Sequence, residues 1–156
     1  MTASADAAVA APAGTVLVLE VDADGVQIYA CEAKDGGFAW VFKAPEAALF
    51  DATGREIGTH FAGPTWKLGD GSAVQGEIVA RADAPEHGAI PWLLLRAKNA
   101  SGSGTLGDIA FIRRIATQGG VAPAAGCDAA HAGTTARMRY SARYQFIAAL
   151  TARAGA

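Results

Sequence analysis

The side chains best suited to chemistry are few. Histidines stand at His60, His87 and His131, and no two sit two or four residues apart, so no local zinc pair exists. A histidine site would have to be assembled from distant loops. Two pairs are close enough in sequence to be candidates, His60 with Asp70 and His131 with Asp128. His87, beside Glu86 and Pro85, reads as a solvated loop residue. The stretch IGTHFAGPTWKLGDGS (57–72) gathers His60, Trp66 and Asp70 around a Gly-Pro pair and a Gly-Asp-Gly run. Its glycines and proline read first as tight turns between strands. Trp66, flanked by that turn and by Lys67, is expected to be partly exposed, and with His60 and Asp70 it would form a ligand rim. Substituting His60 or Trp66 is expected to weaken ligand binding more than stability.

Other motifs are weaker. Gly102-Ser-Gly-Thr-Leu-Gly107 matches G-x-G-x-x-G, and Asp128 lies some twenty residues on, as a dinucleotide fingerprint asks. The following segment runs into Gln-Gly-Gly and a proline-containing loop, with no βαβ unit to hold a pyrophosphate. A hairpin loop is the better reading, and an NAD-dependent dehydrogenase is not. No G-x-S-x-G elbow is present, no motif asks for a cofactor, and no catalytic residue is identifiable. Arg137, Arg139 and Arg143 form a basic stripe. It is either an ordinary solvated face or a contact for an anion.

These residues must be positioned by a β scaffold. The chain has 156 residues, 51% hydrophobic, with 19 glycines and a net charge of −2. That is enough for one domain with a core, and it gives no electrostatic reason to expect nucleic acid. No apolar run approaches the ~20 residues that span a bilayer. TVLVLEV (15–21), VQIYAC (26–31) and FAWVF (38–42) are expected as three strands of a meander, with a turn at Asp22-Ala-Asp-Gly25 between the first two. Trp40 is expected to be buried in this meander. APEAALFD, with Pro45 and Glu46 near its start, suits a short helical turn. SAVQGEIVARA (72–82) alternates as a strand. IPWLLLRAKN (90–99) reads as a central strand burying Trp92. Residues 101–120 fit a strand or a short helix. ARMRYSARYQF alternates Met138, Tyr140, Ala142, Tyr144 and Phe146 against the arginines. About eight mostly antiparallel strands with little helix predict an all-β sandwich or barrel. Residues 1–13 are expected as a flexible tail, 14–147 as the single β domain and 148–156 as a C-terminal tail.

The first residues show no basic region followed by an apolar one, as a signal peptide would, which leaves two readings: a cytosolic protein, or a mature form whose signal was replaced by Met1. The residues alone leave Cys31 and Cys127 either paired or free and buried.

Taken together, GVQIYAC, FAWVFKAPEAALFD, GTHFAGPTWKLGDGSAVQGE, IPWLLLRA and GGVAPAAGCDAAH resemble the domain of unknown function 3455 family of bacteria and fungi. The resemblance covers roughly residues 14–146, with the blocks in the family's order. Some fungal members carry a malate dehydrogenase label, and the family brings no established activity or catalytic residues. Its members usually carry secretion signals. The resemblance therefore implies an extracytoplasmic protein, secreted or periplasmic, and with it a Cys31–Cys127 disulfide. Two functions follow as expectations. One is a binding or structural envelope protein taking a small-molecule, glycan or protein ligand at His60, Trp66, Asp70, Asp128 or His131. The other is a metal-dependent or other small enzyme using His60, His131 and the nearby carboxylates.

Overall fold

A computed structural model describes residues 4–151. Eight antiparallel strands close into one barrel, each paired to its sequence neighbours and the last to the first. They are β1 (Thr15–Lys34), β2 (Gly37–Phe50), β3 (Glu56–Phe61), β4 (Thr65–Leu68), β5 (Ala73–Ala82), β6 (Trp92–Ser101), β7 (Ile109–Gly119) and β8 (Thr135–Ala149). The all-β expectation holds, and of its two forms the barrel is the one adopted.

The sequence misleads at β1. Asp22-Ala-Asp-Gly25 is no turn but the middle of a single 20-residue strand. Val21 and Ala23 point into the core, while Asp22 and Asp24 point out toward arginines of β8. Gly25 serves a close approach instead of a reversal. It pairs with Ala47 of β2, and a Cβ there would run into the Glu46 carbonyl and lie 2.5 Å from the Ala47 Cα. The expected helical turn at APEAALFD is likewise strand. Pro45, Ala47 and Leu49 are buried while Glu46 faces out, a period of two that helical reading overlooks. Pro45 is tolerated because β3 pairs with β2 only from Ala47 onward, so its missing N–H faces no partner strand. The ambiguous 101–120 region resolves as a loop followed by β7.

The arginine stripe is neutralised by the protein itself. Arg143 meets Asp22 at 3.3 Å and Glu20 at 3.7 Å, Arg139 meets Asp24 at 3.3 Å, and Arg137 meets Glu46 at 3.0 Å. Each exposed pair contributes little singly. The contacts of Arg139 and Arg143 together favour one register between β1 and β8, while Arg137 reaches across β1 to Glu46 of β2.

The two ends of the barrel differ. At the end holding the β4–β5 and β6–β7 connections, Leu106 is fully buried and plugs the floor above Leu49, Leu68, Ile112 and Phe146. At the other end, the rim is laced by Tyr29 donating to the Gly120 carbonyl at 2.5 Å and Trp40 donating to the Ala125 carbonyl at 3.0 Å. The Cys31–Cys127 disulfide joins the same rim to the β7–β8 connection. Neither Trp40 nor Trp92 is buried as expected; both are half-buried.

Residues 4–13 do not trail from the barrel as expected of segment 1–13. Ser4 caps a helical turn, α1 (Ala5–Ala8), and Val9 is wholly buried. Arg113, on the outer face of β7, holds this segment through the Val9 carbonyl at 2.8 Å and the Asp6 carboxylate at 2.6 Å.

Gly25→Ala is expected to lower stability by about 1–3 kcal/mol, because β1 and β2 must separate to admit the methyl group. Urea denaturation checks this. A midpoint unchanged from wild type would mean that the two strands do not depend on that approach.

Candidate functional site

The residues sought as a site divide between the two ends of the barrel. Asp70 sits in the β4–β5 turn at the plugged floor. Its carboxylate accepts from the Ser72 hydroxyl at 2.6 Å and from the backbone N–H groups of Ser72 and Thr105 at 2.9 Å each. Those hydrogen bonds, the Ser72 hydroxyl foremost, hold its carboxyl well below the usual carboxylate range. Ser72 in turn accepts from Leu106 N–H at 3.1 Å. Asp70 thus fastens the loop that plugs the floor, and it does not approach His60 at the opposite end. The glycines of the G-x-G-x-x-G match lie in this same loop, between two antiparallel strands and with no helix following.

Asp128 and His131 do come together, at 2.6 Å between Oδ1 and Nδ1, on the rim loop beside Cys127. Asp128 also caps the single 3₁₀ turn Ala129–His131, and the contact with His131 lowers its pKa. Both side chains are more than half exposed. Gly133 donates to the Cys31 carbonyl, and Cys31 donates to Thr134, each at 2.9 Å, so the strand end and this loop are neighbours as expected from the disulfide. Among the described residues, no three His, Cys, Asp or Glu side chains gather as metal ligands.

His60 and Trp66 face each other across the β3–β4 pair and point into the barrel. The expectation that Trp66 is partly exposed is overturned: it is 1% exposed and among the largest side chains of the core. Gly76 of β5 lies beside it, where a Cβ would touch the indole at 3.4 Å and press on the Leu95 Cβ at 3.1 Å. His60 stacks on Trp66 with centroids 4.5 Å apart and planes 13° from parallel. Tyr144 completes the cluster, edge-on to Trp66 at 5.4 Å. Because both His60 and Trp66 are core residues, replacing either must cost stability as well as any binding.

A chain of hydrogen bonds fixes the histidine's tautomer. The Thr65 carbonyl can only accept, so His60 Nδ1 donates to it, at 2.8 Å. Nε2 of the neutral ring is then an acceptor, and the Tyr144 hydroxyl donates to it at 3.3 Å. The Tyr140 hydroxyl donates to Tyr144 at 3.2 Å. Burial raises the pKa of both tyrosines, so both stay protonated donors. Burial, reinforced by the charge of Arg114, lowers the pKa of His60 to about 3. At neutral pH the cluster is uncharged and its protons run in one direction.

Two buried polar atoms here have no partner, Trp66 Nε1 and Gln27 Oε1. Both residues line a cavity of about 260 Å³ inside the laced end of the barrel, with His60, Tyr144, Arg114, Leu93 and Leu95. Sequence reading missed Gln27 and Arg114 altogether. Each sits on the inward face of its strand, Gln27 at a polar position in an otherwise apolar alternation, and that break in pattern was the available signal. A broader depression of about 830 Å³ lies at the floor, around Asp70 and Thr105. It is less promising, because the Asp70 carboxylate is already committed to its own loops.

A depressed histidine pKa means that the unfolded chain binds the proton more tightly. His60 therefore contributes stability in full above about pH 6.5, and this is lost as pH falls toward 3. The loss from this group is expected at about 1.4 kcal/mol per pH unit across that window. Denaturant titrations of wild type and His60→Gln between pH 7.5 and 4 check it. Parallel curves for the two proteins would contradict a buried, neutral His60.

The family-level comparison agrees with the fold's continuity. A family model described as a protein of unknown function, DUF3455, matches residues 12–148, which takes in all but the last residue of β8. No curated protein and no solved structure matches the chain. No helix among the described residues is long and apolar enough to cross a membrane, and the disulfide fits an extracytoplasmic location. The chain belongs to the DUF3455 family.

Proposed function

We propose that this protein binds a small molecule inside its barrel and does no chemistry on it. The observation that carries this reading is a pair of unpartnered buried polar atoms, Trp66 Nε1 and Gln27 Oε1, on two residues that line one cavity. A buried polar group left unpaired costs roughly 1–3 kcal/mol, and an occupant of the cavity with matching groups removes that cost. The walls are mixed in the manner of ligand pockets: Leu93, Leu95, Ile78 and Phe42 supply apolar surface, and a few convergent polar groups supply orientation. Eight-stranded barrels are also wide enough to hold one small ligand. At about 260 Å³ the cavity falls just below the ~300 Å³ at which pockets for drug-sized ligands begin. The occupant is therefore compact, a single ring or a short chain. Among the sequence-derived candidates, His60 and Trp66 form the cavity wall, Asp128 and His131 stand on the rim, and Asp70 maintains the floor. A secreted or periplasmic setting, implied by the family's secretion signals and compatible with the disulfide, would place the barrel where it meets exogenous small molecules.

A ligand that binds only the folded barrel stabilises it by about 2.7 kcal/mol at a hundredfold excess over Kd, a rise of several degrees in Tm. A thermal-shift screen of compact organic molecules is expected to find such rises. The same compounds should lose their effect on Ile78→Trp. Ile78 is 48% exposed at the cavity wall, so the indole can fill the mouth without disturbing the core. Equal shifts in wild type and Ile78→Trp would place the binding elsewhere, and no shift from any compound would end the binding reading.

A further inference from the structure

The chemical class of the occupant can be taken further, on the basis of the binding reading above. The cavity wall contains two cationic side chains and no carboxylate. Lys43 is already neutralised, its Nζ lying 2.6 Å from Glu32. Arg114 is different. It lies on β7 opposite Leu93 of β6 and Tyr144 of β8, on the strand face that looks into the barrel. Its Nε donates to the Pro91 carbonyl at 2.9 Å, which fixes the side chain. Among the described residues no carboxylate pairs with it, whereas Arg113, its outward-facing neighbour, has Asp6 at 2.6 Å.

A half-buried guanidinium without a counter-charge costs free energy in a medium less polarisable than water. The neighbouring groups, the Tyr144 hydroxyl among them, can accept from it but supply no counter-charge. Tyr140 and Tyr144 remain neutral phenols, their deprotonation opposed by burial. His60 is a neutral ring whose lone pair is taken by Tyr144. Every other polar group at the cavity that lacks a partner is neutral: the Trp66 N–H is a donor and Gln27 Oε1 an acceptor.

We propose that the occupant is a small organic carboxylate: an anionic head held by Arg114, with an apolar ring or chain packed against Leu93, Leu95, Ile78 and Phe42. A polar substituent such as a hydroxyl, which both accepts and donates, would pair the Trp66 N–H and Gln27 Oε1 once these two lining side chains turn toward it. Arginine suits this task because its guanidinium stays charged at any working pH and offers several N–H groups even with Nε committed to a carbonyl.

The test pairs each acid with its neutral isostere. Trans-cinnamate and cinnamamide, and hexanoate and hexanamide, are titrated into the intact oxidised protein, read by tryptophan fluorescence and by Tm. Sodium acetate at matched ionic strength controls for the anionic head alone. The expected result is binding of cinnamate or hexanoate at least tenfold tighter than the matching amide. That preference should be lost in Arg114→Gln, partly kept in Arg114→Lys, and weakened in wild type as salt rises. Equal binding of acid and amide would overturn the carboxylate inference while leaving a small-molecule cavity intact. A preference that survives in a folded Arg114→Gln would remove Arg114 as the recognising group. Binding by neither acid nor amide, with wild type and Ile78→Trp indistinguishable throughout, would overturn both this inference and the binding reading. Should Arg114→Gln fail to fold, the Arg114→Lys protein and the salt dependence of wild type still decide.

Discussion

Everything in this fold depends on the pairing of β1 with both β2 and β8. Residues 22–30 of that strand have partners on either side, and the barrel closes through them. A sheet that stopped short of this closure would expose an unpaired edge and an apolar inner face. Closure in turn demands that a 20-residue strand coil tightly. The local means are Gly25, where the β2 backbone comes too near for a side chain, and an irregularity in register after Ile28. Outside, the acidic residues of β1 meet the arginines of β8. A slip by one residue would turn those charges inward, so the ladder protects the register even though its individual pairs are weak.

Closure also explains why the two ends came to differ. The floor is filled from within by large apolar side chains and stoppered by Leu106, whose loop is tied down through Ser72 and Asp70. The opposite end is held from outside, by the disulfide and by the Tyr29 and Trp40 hydrogen bonds to the β7–β8 connection. Lacing a rim leaves space beneath it, whereas plugging a floor removes space. The cavity lies under the laced end for that reason.

The class of fold was legible because turn residues and alternating runs recur along the chain, and β5, β6 and β8 follow their alternation closely. What escaped was anything that depends on closure. Asp22-Ala-Asp-Gly25 has turn composition, yet its aspartates answer to arginines more than a hundred residues away and its glycine to the backbone of β2. Pro45 and Glu46 imitate a helix start, but the same positions serve a strand that has lost one neighbour. Trp66, next to a Gly-Pro turn and a lysine, carries every local sign of exposure; it is buried by His60, Tyr144 and Phe146, two of them some eighty residues away in sequence. The site was half visible. His60 and Trp66 could be picked out by residue type, whereas Gln27 and Arg114 looked like ordinary members of strands until the inward face of each strand was known.

The interior of the laced end is an unusual way to fill a barrel. His60, Tyr140 and Tyr144 form a hydrogen-bonded chain whose direction is dictated by one backbone carbonyl, so it is satisfied internally and asks nothing of a ligand. Had the interior served stability alone, apolar side chains of similar volume would pack there at no polar cost. The chain accounts for three polar side chains and leaves Gln27, the Trp66 N–H and Arg114 unexplained. Arg114 is tied to the Pro91 carbonyl, yet among the described residues no carboxylate balances its charge, and Gln27 Oε1 and the Trp66 N–H have no partner. A fold of this size is held by a margin of roughly 5–15 kcal/mol, so several unmet polar groups in one place are a substantial fraction of it. They make physical sense together as the contacts of a molecule that completes them. The self-satisfied tyrosine–histidine chain then provides the rigid wall against which that molecule is oriented.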